Sequence, residues 1–402
     1  MYNTRTICFF ILIFVFAWSC KDEIEGTTTP IRSLSAHESQ IVSSTNSFTF
    51  DLMTEIEKKF PDENYFISSF SISTALSMLI NGASETSQKG FIQVLGLEGM
   101  SPQTINESYK VLVEYIYGLD PAVSLNVANS NWYYNKYTIN NTFANTISTY
   151  YNAEIFGRDF RNSETLNALN KWVEDETKGK IKNILDRINP LDVMFLINAI
   201  YFKANWTHQF DPDATANLPF RLKNGQSVDV PTMTSEVKHW WSHDQTLNAQ
   251  VIEIPYGNES YGFTIIMPDD VSEMDNIISR MNANQLQTIL AESTILTRGL
   301  YLPKFQLDFR DDLLGILENM GMPLSGLDNL FIEKLQLEVS KVIHQSFLEV
   351  NEEGSEAAAA TVVGIELVSL PAVTRVNKPF VFLIRERNSG TILFSGKLLD
   401  PN

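Results

Sequence analysis

EVNEEGSEAAAATVVGIELVSLPAVTRVNKP, residues 349–379, is the stretch from which the fold of this chain can be inferred. Its side chains alternate in character, with small or apolar groups at one parity and both charges at the other. The first set is Ser355, Ala357, Ala359, Thr361, Val363 and Ile365, and the second is Glu356, Ala358, Ala360, Val362, Gly364 and Glu366. Because successive side chains of a strand point to opposite faces, this pattern predicts a half-buried strand.

The same stretch also favours a helix, because residues 357–360 are consecutive alanines, the strongest helix formers. Glu353-Gly354-Ser355 before them offers a helix cap and a flexible joint. Local propensity and alternation therefore disagree, as expected for a segment with one conformation outside a sheet and another inside it. The alternative is a short helix that leads into an ordinary edge strand.

Motifs on both sides of this stretch resemble the C-terminal region of the serpin family. NKPF at residues 377–380 and FSGK at 394–397 follow a hinge motif that consists of Glu352, Glu353, Gly354, Ser355, Glu356, Ala357, Ala358, Ala359, Ala360 and Thr361. The resemblance implies an α+β serpin-like fold, with three β-sheets, a helical cluster and an exposed reactive-centre loop at about residues 352–376. It also implies that this loop can insert into the large sheet.

Composition limits the classes of function. The 402 residues are 44% hydrophobic and carry a formal net charge of −18, which argues against binding to nucleic acid or to anionic lipid. Cys8 and Cys20 are the only cysteines, so residues 37–402 can form no disulfide. That range shows no repeat or composition break, and we expect it to be one monomeric domain.

The first residues are typical of an export signal. An apolar run after Arg5 is too short to span a membrane, and residues 1–19 are interpreted as a signal peptide. Ser19-Cys20 resembles the acylation site of bacterial lipoproteins, and Lys21-Asp22-Glu23 resembles a signal for surface display. We therefore expect a lipid on Cys20, a tether over residues 20–36 and a place on the outer membrane, facing the extracellular space. Simple secretion is the alternative.

Apolar spacing gives a coarse order of elements. Helices are predicted over residues 41–60 and 71–82 and near residue 169. Strands are predicted over residues 128–134, 195–202, 251–255, 262–268, 299–309 and 338–350. The turn Asn388-Ser389-Gly390 predicts a hairpin between residues 380–386 and 391–398.

Five polar or aromatic residues are implied by the resemblance to lie where the large sheet opens: Ser68, Ser71, Asn198, Trp206 and His344. His344 is expected to hydrogen-bond with Asn198 and with the two serines. Removing one partner would leave buried polar groups unpaired, at about 1 to 3 kcal/mol each. Trp206 is expected at the point where the loop enters.

Motifs for enzymatic chemistry are absent from the sequence. No nucleophile elbow, zinc-protease helix, phosphate loop or dinucleotide fingerprint occurs, and we expect neither a cofactor nor enzymatic activity. His239 and His243 have metal-ligand spacing on a helix, but the surrounding VKHWWSHDQ is typical of a strand. We therefore expect no metal site.

Family spacing locates the bond that a protease would cut. Counting back from Asn377 and forward from Gly354 both give Val368-Ser369. Val368 suits the small primary pocket of elastase-like serine proteases, and Leu367 suits papain-like cysteine proteases. Cutting after Leu367, which follows Glu366, would suit chymotrypsin-like or subtilisin-like enzymes. The resemblance thus implies a protease inhibitor; the alternative is a non-inhibitory protein of the same fold that binds a ligand or assists folding.

Overall fold

The computed structural model describes residues 29–355 and 372–402. Cys20, the hinge positions from Glu356 to Thr361, and the residues Glu366, Leu367, Val368 and Ser369 lie outside the described residues. The other candidate residues lie within them. None of the described helices is long and apolar enough to cross a membrane.

Six of the nine described helices lie in the first half of the chain. They are α1 (Ala36–Lys59), α2 (Ser69–Ile80), α3 (Glu85–Val94), α4 (Pro102–Tyr117), α5 (Asn141–Tyr151), α6 (Ser163–Glu176), α7 (Met274–Arg280), α8 (Ala283–Ala291) and α9 (Leu314–Asn319). The helices predicted over residues 41–60 and 71–82 are confirmed, with earlier starts. Ser35 caps α1 in a capping box with Glu38, and Ser68 caps α2 by accepting from the Ser71 N–H.

Strands dominate the second half. They are β1 (Tyr65–Ile67), β2 (Ser124–Tyr134), β3 (Glu154–Arg158), β4 (Met194–Asn205), β5 (Ala216–Arg221), β6 (Ser227–Asp244), β7 (Ala249–Tyr256), β8 (Tyr261–Pro268), β9 (Thr294–Pro303), β10 (Phe305–Asp312), β11 (Ile343–Val350), β12 (Gly354–Ser355), β13 (Thr374–Arg375), β14 (Phe380–Glu386) and β15 (Ile392–Leu398).

The largest sheet holds the core. It runs in the order β1-β15-β14-β8-β7-β6-β9-β13, and β5 pairs with β6. Every residue of β8, β14 and β15 is buried, as expected for strands covered on both faces. The predicted hairpin is confirmed, because β14 and β15 pair antiparallel from Phe380 opposite Leu398 onward.

Two smaller sheets border a gap. One contains β10 and β11, and the other runs in the order β12-β4-β2-β3. No ladder joins β4 to β11 in the described residues, although some Cα atoms of the two strands lie within 8 Å of each other and α2 packs beneath β4. The α+β architecture with three sheets is confirmed, but the sheet that was expected to accept the loop is divided into two parts.

Two strand predictions were wrong in extent. The strand predicted over residues 299–309 is interrupted at Lys304, where the chain changes partner: the Lys304 N–H still donates to the Pro231 carbonyl of β6, and Phe305 pairs with Val350 of β11. The strand predicted over 338–350 begins only at Ile343. Before it, the Val339 N–H donates to the Leu324 carbonyl and the Val342 N–H donates to the Asp312 carboxylate. The backbone N–H groups of Val339 and Val342 are therefore used outside a ladder.

Candidate functional site

The hinge motif begins a new strand on the edge of β4. Gly354 lies opposite Asn205 and Ser355 lies opposite Ala204, in antiparallel register. A tight turn after β11 reverses the chain, because the Asn351 N–H donates to the Gly354 carbonyl at 3.0 Å. The first two residues of a strand between β11 and β4 are thus already in place.

Glycine is required at residue 354. Its φ angle is +148°, which side chains rarely adopt. A Cβ atom there would lie 2.1 Å from the Ala204 carbonyl oxygen and 2.5 Å from the Asn205 Cα. Both atoms belong to the backbone, so they cannot relieve the clash by a change of rotamer. Any other residue would push the hinge away from β4.

Trp206 holds the turn against the main core. Its indole N–H donates to the Asn351 carbonyl at 2.9 Å, and its backbone N–H donates to the Glu353 carbonyl at 2.7 Å. The ring stacks on Tyr256 at a centroid distance of 4.4 Å and is 2% exposed. The structure therefore places Trp206 where the hinge meets the sheet.

Glu352 ties the hinge to a neighbouring strand boundary. Its carboxylate accepts from the Thr215 hydroxyl at 2.7 Å and from the Lys304 ammonium at 2.9 Å. Burial alone would raise the pKa of Glu352, but these two hydrogen bonds hold that pKa below its usual value. Sequence reasoning missed both partners. The one signal was the charged residue Lys304 inside a predicted strand.

Beyond the hinge, a cavity of about 710 Å³ continues the gap between β4 and β11. One wall comes from β4 and the residues before it, and the other comes from the chain that leads into β11. Apolar side chains of α2 form the floor, namely Ile72, Ala75, Leu76 and Leu79. Met194, Leu196, Asn198 and His344 also line it. The cavity is open, mostly apolar and next to two strand edges.

The polar residues expected at the opening of the sheet form two separate groups. On one side, His344 accepts from the Ser68 N–H at 3.2 Å, and the Ser68 Oγ accepts from the Ser71 N–H. On the other side, the Asn198 amide donates to Asn129 Oδ1 at 2.6 Å. Burial lowers the pKa of His344 to about 4, so the ring is a neutral acceptor near pH 7.

The expected hydrogen bond between His344 and Asn198 is therefore wrong for this conformation. Asn198 is on β4 and His344 is on β11, and the gap separates these strands. The Ser71 hydroxyl, also expected to take part, is buried without a hydrogen-bond partner among the described residues. Only the backbone N–H of Ser71 takes part.

His239 and His243 both lie on β6 and have different partners. His239 Nε2 is 2.9 Å from the Thr374 hydroxyl, whereas His243 Nε2 is 2.7 Å from an Asp269 carboxylate oxygen. Within residues 29–355 and 372–402, no group of three or more His, Cys, Asp or Glu side chains could hold a metal ion.

A protein-family model described as Serpin (serine protease inhibitor) matches residues 43–401, which include the hinge and the divided sheet. The chain belongs to the serpin family. Serine protease inhibitor 42Dd of Drosophila melanogaster is 32% identical and covers 86% of this chain and 94% of its own. Leukocyte elastase inhibitor of Sus scrofa is 30% identical over 90% of this chain and 100% of its own.

Two solved structures share the fold. Human thyroxine-binding globulin, in complex with thyroxine, superposes with a TM-score of 0.83 at 28% identity, covering 91% of this chain and 100% of its own. Human kallistatin gives a TM-score of 0.83 at 26% identity, covering 91% of this chain and 99% of its own.

The far end of the serpin loop is also held. Thr374 and Arg375 form β13, which pairs parallel with Leu300 and Tyr301 of β9. The Arg375 guanidinium lies 4.4 Å from the centroid of the Tyr301 ring. The strands β12 and β13 are each two residues long, and residues 356–371, which are not described, connect them in sequence.

Proposed function

We propose that this serpin inhibits proteases as a suicide substrate, cut at Val368-Ser369. The nucleophilic hydroxyl of the protease attacks the Val368 carbonyl, and the peptide bond to Ser369 breaks. Ser369 leaves as a new amino terminus with the proton, and an ester joins Val368 to the protease. The freed segment then enters the gap between β4 and β11 as a strand and carries the protease with it.

The pairing of Gly354 and Ser355 with β4 is the observation that carries this proposal. In an antiparallel pair, residue numbers rise on one strand as they fall on the other. Continuing the register from Ser355 opposite Ala204 sets Ala357 opposite Phe202, Thr361 opposite Asn198 and Ile365 opposite Met194. Residues 356–365 would then line β4 down to its first residue.

Side-chain faces agree with this register. Directly opposite residues share a face, and alternate residues of β4 point toward the main core, where Ile200, Phe202 and Ala204 are at most 5% exposed. The hinge residues that would face the same way are Ser355, Ala357, Ala359, Thr361, Val363 and Ile365, the small or apolar set. Glu356 would lie opposite Lys203, outside the core.

The other face of the gap is covered in part by α6. Phe195 and Ile197 of β4 pack with Leu169 and Val173 of that helix. In the continued register Val362 lies opposite Ile197 and Gly364 lies opposite Phe195. An apolar residue and a glycine there suit the space beneath a helix, which supports the same insertion path.

Trapping requires that the loop inserts faster than the ester to Val368 is hydrolysed. A typical protease is stable by only about 5 to 15 kcal/mol, so an insertion that releases a similar free energy can deform its active site. Deformation stops hydrolysis of the ester, and the complex persists. Val368 makes elastase-like serine proteases the leading targets; papain-like and subtilisin-like enzymes are the others.

The decisive experiment is a panel of proteases incubated with residues 21–402. An elastase-like enzyme should give an adduct that survives boiling in detergent and whose mass equals the protease plus the chain up to Val368. A trypsin-like enzyme serves as the control, because the proposed bond has no basic residue before it for such an enzyme to recognise. Cleavage by every enzyme without any adduct would contradict the proposal.

A second candidate is ligand binding without inhibition. Thyroxine-binding globulin, of similar fold, binds thyroxine, and this chain has a further cavity of about 600 Å³ between α1, α8 and the end of β14. These two candidate functions can be distinguished by cutting the loop with a non-target protease and comparing the melting midpoints of the intact and cut chains. A large rise in the melting midpoint of the nicked chain supports insertion, since a strained sheet relaxes. Equal midpoints would favour ligand binding.

A lipid anchor at Cys20 is the remaining part of the proposal, with a signal peptide before it and surface exposure on the outer membrane. The short distance in sequence between Cys20 and Thr29, whose N–H donates to the Gly118 carbonyl at 2.6 Å, supports a tether rather than another domain. Cys20→Ala should move the protein from the membrane to the soluble fraction. Protease treatment of intact cells should remove the wild-type domain; full protection would contradict surface exposure.

A further inference from the structure

A cavity of about 350 Å³ lies on the flank of the fold, between α4, α5, the start of α2 and the middle of β2. It shares no described lining residue with the gap between β4 and β11. We call it the α4 cavity, because one face of α4 forms its longest wall. Its volume falls within the range of about 300 to 1,000 Å³ that is usual for sites that bind small molecules.

Aromatic rings form the floor of the α4 cavity. Phe70, Tyr109 and Tyr151 line it and are at most 6% exposed. The ring centroid of Tyr109 lies 6.5 Å from that of Phe70 and 6.1 Å from that of Tyr151. Both tyrosine hydroxyls already have partners, since Tyr109 donates to Ser73 at 3.3 Å and Tyr151 donates to Asn106 at 2.8 Å. The floor therefore offers ring surface, which suits a flat aromatic group.

Two opposite charges lie at the rim of the α4 cavity. Lys110 is half-buried and Glu114 is exposed, and neither side chain has a hydrogen-bond or ion-pair partner among the described residues. The two residues are separated by about 6 Å along the axis of α4 and lie on the same helical face. Lysine before glutamate is the less favourable order for an ion pair at this spacing. An ammonium and a carboxylate are thus free to bind a ligand.

A third polar group at the α4 cavity is the hydroxyl of Tyr117, which follows Glu114 by three residues on the same helix. This hydroxyl is buried and has no hydrogen-bond partner among the described residues. Burial raises its pKa above the usual value, so it stays protonated. Leaving a buried hydroxyl unpaired is unfavourable, and a polar group on the ring of a ligand would supply the partner.

We propose that the α4 cavity binds a free aromatic α-amino acid of the tryptophan or tyrosine type. The ring packs on the floor, the α-carboxylate pairs with Lys110 and the α-ammonium pairs with Glu114. The ring N–H or hydroxyl bonds with Tyr117. A zwitterion gives both rim charges a partner, whereas an aryl carboxylate without the ammonium would place its negative charge beside Glu114. The site uses neither the hinge nor the loop, so it is independent of the proposed inhibition.

The test is equilibrium dialysis of the full-length protein against L-tryptophan. One saturable site is expected, with a dissociation constant of about 0.1 to 1 mM, as is usual for a ligand of this size. Tryptamine lacks the carboxylate and indole-3-propionate lacks the ammonium. Each should bind about ten-fold more weakly, because one charge-assisted hydrogen bond is lost. L-Alanine, which has no ring, should not bind measurably.

Two variants assign each rim charge to one end of the ligand. Lys110→Met keeps the apolar stem and should weaken tryptophan binding about ten-fold while leaving tryptamine binding unchanged. Glu114→Gln should weaken tryptophan binding but should not weaken the binding of indole-3-propionate. The matched control is Lys89→Met, which changes an exposed lysine of α3 that pairs with Glu85 and does not line the cavity. Its affinity for tryptophan should equal that of wild type.

Melting curves give a second readout and check that the variants are folded. A ligand that binds only the folded state raises the melting midpoint, so saturating tryptophan should raise that of wild type. The midpoint of a variant with both Lys110→Met and Glu114→Gln should respond much less. Without ligand, its midpoint should stay close to wild type, since neither side chain has a partner to lose among the described residues.

Three results would overturn this assignment. The first is the absence of saturable tryptophan binding to wild type. The second is binding that neither Lys110→Met nor Glu114→Gln weakens, which would place the ligand elsewhere, for example in the cavity of about 600 Å³ beside α8. The third is indole-3-propionate binding as tightly as tryptophan, which would show that Glu114 does not pair with the ligand. None of these measurements involves a protease, so a failure of the inhibitory proposal would leave them unaffected.

Discussion

The Lys304 ammonium donates to Glu352 Oε1 at 2.9 Å, and its nitrogen lies 2.8 Å from Oε2 of the same carboxylate. Lys304 separates β9 from β10, and Glu352 precedes the two hinge residues paired with β4. The ion pair therefore joins the near end of the loop to the sheet.

Glu352→Lys should loosen the hinge, because two ammonium groups would then face each other and Thr215 would lose its acceptor. Lys304 is partly exposed, so we expect a cost of only about 1 kcal/mol from the pair. The melting midpoint should fall by about 2 °C. Adding Lys304→Glu reverses the charges and should recover most of the loss. A double variant no more stable than Glu352→Lys alone would show that charge is not the cause.

Ala357→Arg should convert the inhibitor into a substrate. In the continued register Ala357 lies opposite Phe202 on the core face, and an unpaired guanidinium buried there costs several kcal/mol. Slower insertion lets hydrolysis win, and the ratio of covalent complex to cleaved chain should fall at least about ten-fold, which requires only 1.4 kcal/mol. Stoichiometry of inhibition and gel densitometry measure this ratio.

The matched control is Glu356→Arg, one residue earlier. It would lie opposite Lys203 outside the core, where a like-charge pair costs less than about 1 kcal/mol. Trapping should remain close to wild type. Equal behaviour of the two arginine variants would show that the register continued from Ser355 is wrong.

Val368→Arg should move inhibition from elastase-like to trypsin-like proteases, since only the residue that fills the primary pocket changes. Association rate constants with one protease of each class measure the change. Val368→Ala is the control, because it keeps a small aliphatic residue before the cut and adds no positive charge. An elastase preference that persists in Val368→Arg would show that the bond lies elsewhere.

His344 should make stability depend on pH. Its pKa is lowered by burial to about 4, so the folded state is fully stable above the ordinary value of about 6.5 and loses stability as the pH falls from there to about 4. Since each pKa unit corresponds to about 1.4 kcal/mol, the loss is about 3 kcal/mol. Melting at pH 7.5 and 4.5 should show a larger drop for wild type than for His344→Asn. Parallel drops would contradict this.

The alternation around Ala357 can be read from the sequence because strand periodicity is local, and the strand it predicts stays a prediction, since residues 356–371 lie outside the described residues. Whether a side chain suits the core face depends on its own size and on its neighbours two positions away. The same holds for the hairpin of β14 and β15, which a short turn determines. Such features need no knowledge of distant chain segments.

The contacts that hold the two ends of the loop could not be predicted in this way. Glu352 and Lys304 are 48 positions apart, and His239 and Thr374 are 135 apart. Their meeting depends on how strands are ordered in two sheets. The four-residue spacing of His239 and His243 says nothing about Thr374, and the bond expected between Asn198 and His344 follows from the family resemblance, which does not show that the sheet is divided.

The gap between β4 and β11 has a consequence for solutions of this protein. Below the residues opposite Gly354 and Ser355, the facing edges of both strands carry backbone groups that have no ladder partner among the described residues. Such edges accept any extended chain, including the loop of a second copy. Donor loop and accepting gap are different surfaces, so this contact does not close on itself and builds open chains of molecules. A molecule's own loop is favoured only by its high local concentration, so a high concentration of the protein in solution would reduce that advantage.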